Sequence, residues 1–136
     1  MAAFLFISVG NDQRADETVT EALASLRSLH HLGFAMMEAP LLAWAALALG
    51  REAELVEVLE REPFKSGWLR AALAVASRDF LGAADICGGM GMRSYEAFFR
   101  LQTGAEQDVR AALEFYRSVG ATRYVREGES LLAASA

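Results

Sequence analysis

Residues 88–120, GGMGMRSYEAFFRLQTGAEQDVRAALEFYRSVG, decide the fold class because their glycines stand about one short helix and one turn apart. Glycine accepts the left-handed backbone of a helix C-cap without steric penalty, so regularly spaced glycines indicate regular helix ends. Two such segments make a helical hairpin of about 34 residues. Gly67 follows Pro63 and is predicted to begin a helix, whereas the predicted helix ends are Gly33, Gly50, Gly88, Gly104 and Gly120.

Apolar residues recur at helical spacing in eight segments between residues 12 and 134, and strand-like alternation is nearly absent. Segment 34–49 is apolar nearly all round, which predicts a helix enclosed on several sides. For residues 1–9 both a helix and a strand stay open, and we favour the helix because everything after it is helical. The pattern predicts an all-α fold of about four antiparallel helical hairpins.

Capping residues and one internal glycine refine these helices. Asp12 and Ser66 precede apolar helical stretches and are predicted N-caps. Thr103 and Glu106 match a capping box, in which each side chain bonds the backbone N–H of the other residue. Gly128 falls inside the last segment, where glycine costs about 1 kcal/mol relative to alanine. It predicts a place where another backbone comes close.

The length and the single cysteine bear on organisation and location. A chain of 136 residues fits one domain over residues 1–136. The start of the chain lacks the basic region of a signal peptide, and the apolar run 39–49 is far shorter than the roughly 20 residues of a bilayer crossing. Cys87 has no partner for an internal disulfide, which favours a reducing compartment. We expect a cytoplasmic protein without a membrane partner.

Charge and hydropathy indicate the kind of partner. The net charge is −5, and the first 68 residues hold ten acidic side chains against five basic ones. Nucleic-acid binding calls for a basic patch or stripe, so we expect no direct nucleic-acid partner. Hydrophobic residues make up 54% of the chain before its eleven glycines are counted, which is rich for a globular protein. This excess favours a homodimer slightly over a monomer.

Two stretches resemble a known class of repeat protein. Residues 68–85, WLRAALAVASRDFLGAAD, resemble the tetratricopeptide pattern with its G-[DN]-[YF]-x-x-A turn, and Arg78 stands where glycine is usual. Residues 112–134, ALEFYRSVGATRYVREGESLLAA, are similar to the C-terminal end of large actinobacterial regulators. Those regulators join an ATPase module, and sometimes a cyclase or helix-turn-helix domain, to a tetratricopeptide-like array. The resemblance, strongest over residues 68–134, implies a right-handed array with a regulatory or partner-binding role.

Residue types suited to catalysis or metal binding form no recognisable constellation in the sequence. His30 and His31 are adjacent, so on a helix they point about 100° apart, and we interpret them as helix-end residues. Cys87 lies among small apolar residues and is interpreted as a buried structural thiol. The glutamates between residues 52 and 62 are interpreted as the solvated face of one helix, with paired carboxylates as the alternative. We predict no enzymatic activity, no cofactor and no metal site.

Arginine and tyrosine concentrate in the last three helical segments, and both residue types are enriched at protein interfaces. We interpret them as a candidate groove for an acidic or C-terminal segment of a partner. The alternative is a surface whose cations are paired with neighbouring carboxylates. The candidate partner-binding residues are Arg93, Tyr95, Arg100, Arg117, Arg123, Tyr124 and Arg126.

These observations favour a non-catalytic protein-interaction or regulatory module of the helical-repeat type. Its partner would be another protein, a peptide or a second copy of the chain. The alternative is a small-molecule-sensing helical domain of a transcriptional or signalling regulator, because helical bundles host apolar pockets. Such a pocket is expected near Met36, Met37, Trp44 and Trp68.

Overall fold

The computed structural model describes residues 2–135, with the side chains of residues 34, 35 and 135 left out, and within that range it contains helices and turns but no strand. The all-α prediction is confirmed, as is the helix favoured at the N-terminus. None of the described helices is both long and apolar enough to cross a membrane. The helices are α1 Ala2–Ser8, α2 Asp12–Ser28, α3 Ala39–Ala48, α4 Glu52–Glu60, α5 Gly67–Ala76, α6 Phe80–Gly89, α7 Arg93–Thr103, α8 Glu106–Ser118 and α9 Thr122–Ser135, with a 3-10 segment Gly33–Glu38 before α3.

The chain forms two compact units, the first ending at Asp79 and the second beginning at Phe80. In the first unit α3 is the central helix, packed against α1, α2, α4 and α5. Its Ala43, Ala45 and Ala46 are fully buried, because small side chains let several helices approach one axis. The enclosed helix predicted from segment 34–49 is therefore confirmed over Ala39–Ala48, whereas Gly33–Glu38 form the 3-10 segment. The single domain over residues 1–136 stays a prediction.

The second unit packs each helix against the next in the chain, α6 on α7, α7 on α8 and α8 on α9. Gly128 of α9 is buried, and a Cβ atom there would lie 2.8 Å from Leu113 Cδ2 and 3.3 Å from Leu101 Cδ1. The expected close approach is real, but the nearest atoms belong to side chains and not to another backbone. One core cluster of this unit consists of Ala97, Leu101, Val109, Ala112, Leu113 and Tyr116.

Several helix ends share one hydrogen-bonded turn, in which a left-handed residue follows the C-cap. After α3, Gly50 (φ 69°) donates to the Leu47 carbonyl and the next residue bonds back to Ala46. Gly104 and Gly120 also have positive φ, so these three predicted helix ends are confirmed.

Two predicted helix ends are wrong. Gly33 begins the 3-10 segment, because α2 already ends at Ser28 and Leu29 is extended. Gly88 lies inside α6, and the left-handed residue that follows this helix is Gly91. Gly67, by contrast, begins α5 as predicted.

The helix starts confirm one predicted cap and correct two others. Ser66 caps α5 by accepting the Leu69 N–H at 3.2 Å, as predicted. The cap of α2 is Asn11 and not Asp12, which is already helical. The capping box at Thr103 is wrong because Thr103 is the last residue of α7 and Ala105 precedes α8.

Arg78 occupies the left-handed position after α5, with φ 64°, the one non-glycine residue with positive φ in residues 2–135. Its N–H donates to the Val75 carbonyl at 2.9 Å, and the Asp79 N–H donates to Ala74 at 2.9 Å, the same turn that Gly50 makes. A residue with a Cβ atom is strained in this conformation by about 1–2 kcal/mol. The turn therefore forms without the glycine that the tetratricopeptide pattern supplies at this position.

Arg78→Gly is expected to stabilise the protein by about 1 kcal/mol, because the relief of left-handed strain exceeds the added freedom of glycine in the unfolded chain. Urea denaturation followed by circular dichroism measures the change. Arg70→Gly is the matched control: Arg70 is also exposed but sits within α5, where the same replacement should cost about 1 kcal/mol. A loss of stability in both variants contradicts the prediction.

Candidate functional site

The candidate site lies in the first unit, where two connections between helices meet. Pro63 stops the chain from continuing α4, and the Ser66 cap starts α5, so the residues between them form a turn. The other connection follows α2 and tightens into the 3-10 segment that begins at Gly33 (φ 47°). A hydrogen bond of 2.9 Å from the Leu32 N–H to Glu62 Oε2 joins the two connections.

These connections border a pocket that is open to solvent. Its volume of about 460 Å³ lies within the range of roughly 300–1,000 Å³ that is typical of ligand pockets in proteins. Met36 and Trp68 form its buried and half-buried wall. Phe64 is 74% exposed and Met37 46% exposed, large values for apolar side chains of that size. Exposed apolar groups around a concavity are typical of binding sites. The described residues that line the pocket are His31, Gly33, Met36, Met37, Glu62, Phe64, Ser66 and Trp68.

Glu62 is the one carboxylate among the described lining residues, and only 13% of its side chain is exposed. Its Oε2 accepts the Leu32 N–H, while Oε1 lies 3.9 Å from His31 Nδ1, beyond hydrogen-bond length. The His31 ring is largely exposed, so water screens its interaction with this carboxylate. The interpretation of Glu62 as solvated surface is therefore wrong: the residue lies past the end of α4 and folds against the connection after α2.

The sequence located this pocket in part. Met36, Met37 and Trp68 line it, as the small-molecule alternative expected. Trp44 is not among the described lining residues and packs instead against Phe4, with ring centroids 5.4 Å apart. The contributions of Glu62 and Phe64 were missed, and the exposed aromatic directly after Pro63 is the signal that points to them.

Arg100 of α7 makes three of the ion pairs that the structure describes for the arginine and tyrosine set. It forms ion pairs of 2.9 Å with Asp85, 3.1 Å with Glu96 and 2.9 Å with Asp108. Asp108 is buried and also lies 3.2 Å from the Thr103 hydroxyl. Burial lowers the pKa of Arg100, but hydrogen bonds to Glu96 and Asp108 outweigh it and raise the pKa above its ordinary value. This guanidinium is held by the protein's own carboxylates.

The other cations of the set lie on three helices. Arg93 of α7 pairs with Glu96 at 3.5 Å and shares a groove of about 120 Å³ with Arg100. Arg117 of α8 pairs with Glu129 of α9 at 2.9 Å. Arg123 lies over a tyrosine ring of α9 at 6.0 Å, and Arg126 is exposed on the same helix. These ion pairs favour the alternative interpretation, a surface of paired charges.

The tyrosines of the set contribute to packing. Tyr124 of α9 stacks on Tyr116 of α8, with ring centroids 4.7 Å apart and planes 13° from parallel. Burial raises the pKa of both phenols above the ordinary value. Tyr95 is half-buried on α7. The Tyr116–Tyr124 stack therefore attaches α9 to α8.

The single cysteine of the chain lies in the second unit. Cys87 is fully buried, and burial, with a contribution from the Glu96 carboxylate, raises the pKa of its thiol to about 11. The thiolate is the nucleophilic form, so this environment opposes nucleophilic chemistry. Among the described residues, no group of three or more His, Cys, Asp or Glu side chains has the arrangement of a metal site.

Comparisons with protein-family models, with curated proteins and with solved structures found no match to this chain. The functional assignment is therefore based on the geometry of the molecule itself.

Proposed function

We propose that this chain is a non-catalytic protein-interaction module of the helical-repeat type, built as a right-handed, tetratricopeptide-like array of four antiparallel hairpins. Support comes from the short helices joined by tight turns, and from the packing of each helix from α6 to α9 on its neighbour in the chain. Arg78 makes its turn where the repeat pattern has glycine. A cytoplasmic location fits the single buried cysteine.

The observation that carries the binding role is the apolar pocket with its exposed rim. Burying Phe64 and Met37 against a partner removes apolar surface from water, at about 25 cal/mol per Å². The arginine and tyrosine set remains a second candidate surface, but three of its cations already bond carboxylates of the chain. A partner's acidic segment would have to displace those carboxylates. A peptide segment whose side chain enters the pocket breaks no such bond.

Selection from a random peptide library on the full chain is expected to yield peptides that bind saturably, as measured by fluorescence anisotropy. Phe64→Ala and Met37→Ala should each weaken these peptides about tenfold, because each removes apolar contact area of the rim. Val119→Ala is the matched control, since Val119 is exposed and apolar but lies in the second unit. A loss caused only by Arg126→Ala or Arg117→Ala would place the site on the arginine surface and overturn this assignment.

A small-molecule-sensing domain is the second candidate function, and the volume of the same pocket favours it. Thermal-shift screening of a library of apolar compounds distinguishes the two. A compound that raises the melting temperature of the wild-type chain but not of a Trp68→Ala variant supports sensing. Absence of any stabilising compound rejects sensing and leaves the peptide site.

Self-association is part of the proposal, because the exposed Phe64 rim is also available to a second copy of the chain. Light scattering gives the mass directly: a dimer has twice the 14.8 kDa of one chain. A mass near 14.8 kDa at high concentration rejects the homodimer.

A further inference from the structure

We propose that the pocket takes a lysine side chain of a partner peptide, its methylenes against Met36 and Trp68 and its ammonium at the Glu62 carboxylate. This inference rests on the proposed function, since it names the chemistry of the occupant of the same pocket.

Charge complementarity is the first argument. The pocket is lined mainly by apolar groups, and Glu62 is the one carboxylate among the lining residues that the structure describes. Partial burial has removed most of the water around this carboxylate. Its Oε2 has a backbone donor, whereas Oε1 has the His31 ring at 3.9 Å. A carboxylate oxygen accepts up to two hydrogen bonds, so Oε1 retains capacity for a cationic donor.

Lys65, a cation close to Glu62 in the chain, is already engaged elsewhere. Lys65 Nζ lies 2.9 Å from the backbone carbonyl oxygen of Glu62 and 3.3 Å from that of Glu60. These bonds place its ammonium on the carbonyl groups at the end of α4. The first 68 residues carry ten acidic side chains against five basic ones, so the surrounding field also favours a cation.

The apolar wall and the exposed rim of the pocket favour a lysine side chain within a peptide over a free amine. A lysine side chain has an apolar stem with a compact charge at its tip, and it buries the stem while the ammonium makes directed bonds. Trp68 and Phe64 add aromatic rings, which attract cations through their faces. The pocket is open, with Phe64 and Met37 exposed at its rim, so a free amine would stay largely in water there. A peptide also covers the rim with the residues that flank its lysine.

The experiment uses the full chain with Trp44→Phe, so that Trp68 is its single fluorescent tryptophan. One probe is a pentapeptide with a central lysine between two leucines, and the other is the same peptide with acetyl-lysine. We expect acetylation to weaken binding about tenfold, the usual scale for one hydrogen bond to a charged group. Glu62→Gln keeps an acceptor for the Leu32 N–H and should make the two peptides bind equally.

The outcomes separate this inference from the proposed function. If the unmutated pocket binds both peptides equally and Phe64→Ala weakens both, the proposal of a lysine occupant is wrong. The proposal of a peptide-binding pocket then still stands. If neither peptide binds at millimolar concentration, the proposal of a lysine occupant is wrong. The proposed peptide-binding function fails only if binding of the selected library peptides is also insensitive to Phe64→Ala. Hexylammonium binding as tightly as the lysine peptide, with hexanol much weaker, assigns the site to a free amine and overturns the peptide source.

Discussion

Gly128→Leu is expected to lower the free energy of unfolding by about 3 kcal/mol, because the second unit has no room for a side chain at this position. A Cβ atom alone would lie 2.8 Å from Leu113 Cδ2 and 2.9 Å from Leu113 Cγ. Leu113 is itself buried within the core of the unit, so its side chain cannot move into solvent. The additional carbons of leucine would push α9 away from α8 and weaken the Tyr116–Tyr124 stack.

Gly128→Ala separates the two effects that oppose each other at this site. Alanine improves helix propensity by about 1 kcal/mol, while overpacking a filled core costs about 1–3 kcal/mol. We therefore expect a smaller net loss than for leucine. Gly89→Ala is the control, since Gly89 is also the glycine of a helix but a Cβ atom there meets nothing within 4 Å. It should gain stability from propensity alone.

Urea denaturation of these three variants measures the differences in unfolding free energy. Gly128→Ala should cost less in a Leu113→Ala background than in the wild type, because that background lacks both leucine atoms, Cγ and Cδ2, that the added Cβ would meet. Equal stability of Gly128→Leu and wild type would show that α9 tolerates displacement. It would contradict the close packing of Gly128 against α8.

The helices were predictable from sequence because apolar periodicity and glycine spacing act locally. Gly50 and Gly120 end helices because each takes the left-handed position after a C-cap, and Gly104 is itself the left-handed C-cap of α7. Gly33 and Gly88 do not end helices in this way, because Gly33 begins the 3-10 segment and Gly88 lies inside α6. Whether a glycine lies at C′ or inside a helix depends on the packing of the neighbouring turn, which the spacing of glycines does not contain.

The candidate site was predictable only where it is apolar. Met36 and Trp68 stand in apolar surroundings in the sequence, so a pocket nearby was a natural expectation. Glu62 is the last of five glutamates in a row that resembles an exposed helix face. Its role depends on the end of α4 two residues earlier and on the Leu32 N–H, 30 residues away in the chain. A long-range hydrogen bond of this kind leaves no local pattern.

The arginine and tyrosine set shows why residue type does not by itself separate binding from packing. The sequence shows that these residues cluster, but three of the carboxylates that meet them, Asp85, Asp108 and Glu129, come from other helices. Asp85, for example, lies on α6 and Asp108 on α8, and both bond the Arg100 guanidinium of α7. These distances became visible only once the helices were placed against one another.

Arg100→Met is expected to lower the free energy of unfolding by about 3 kcal/mol, because it removes the charged partner of buried Asp108. Among the described residues, the Thr103 hydroxyl at 3.2 Å would be the side-chain hydrogen-bond donor left to that carboxylate. Methionine keeps a long apolar stem, so the loss reports the charge and not the volume. Thermal or urea unfolding of the full chain measures it.

Arg110→Met is the matched control for this prediction. Arg110 and Glu106 form an ion pair of 2.7 Å, shorter than any made by Arg100, but each side chain is 65% exposed. Water screens such a pair, so its loss should cost less than about 1 kcal/mol. Similar losses for the two variants would contradict a buried network at Arg100.

Arg100→Met combined with Asp108→Leu tests the cause directly. If the cost of Arg100→Met comes from leaving Asp108 charged and buried, removing the carboxylate as well should restore much of the stability. If the guanidinium instead acts mainly through Asp85 and Glu96, the double variant stays as unstable as the single one. The result also decides how binding data on this helix are interpreted. Suppose that Arg100→Met abolishes binding of a partner and that the double variant binds it again. The single variant then lost binding because the packing of α7 and α8 was disturbed, and not because Arg100 contacts the partner.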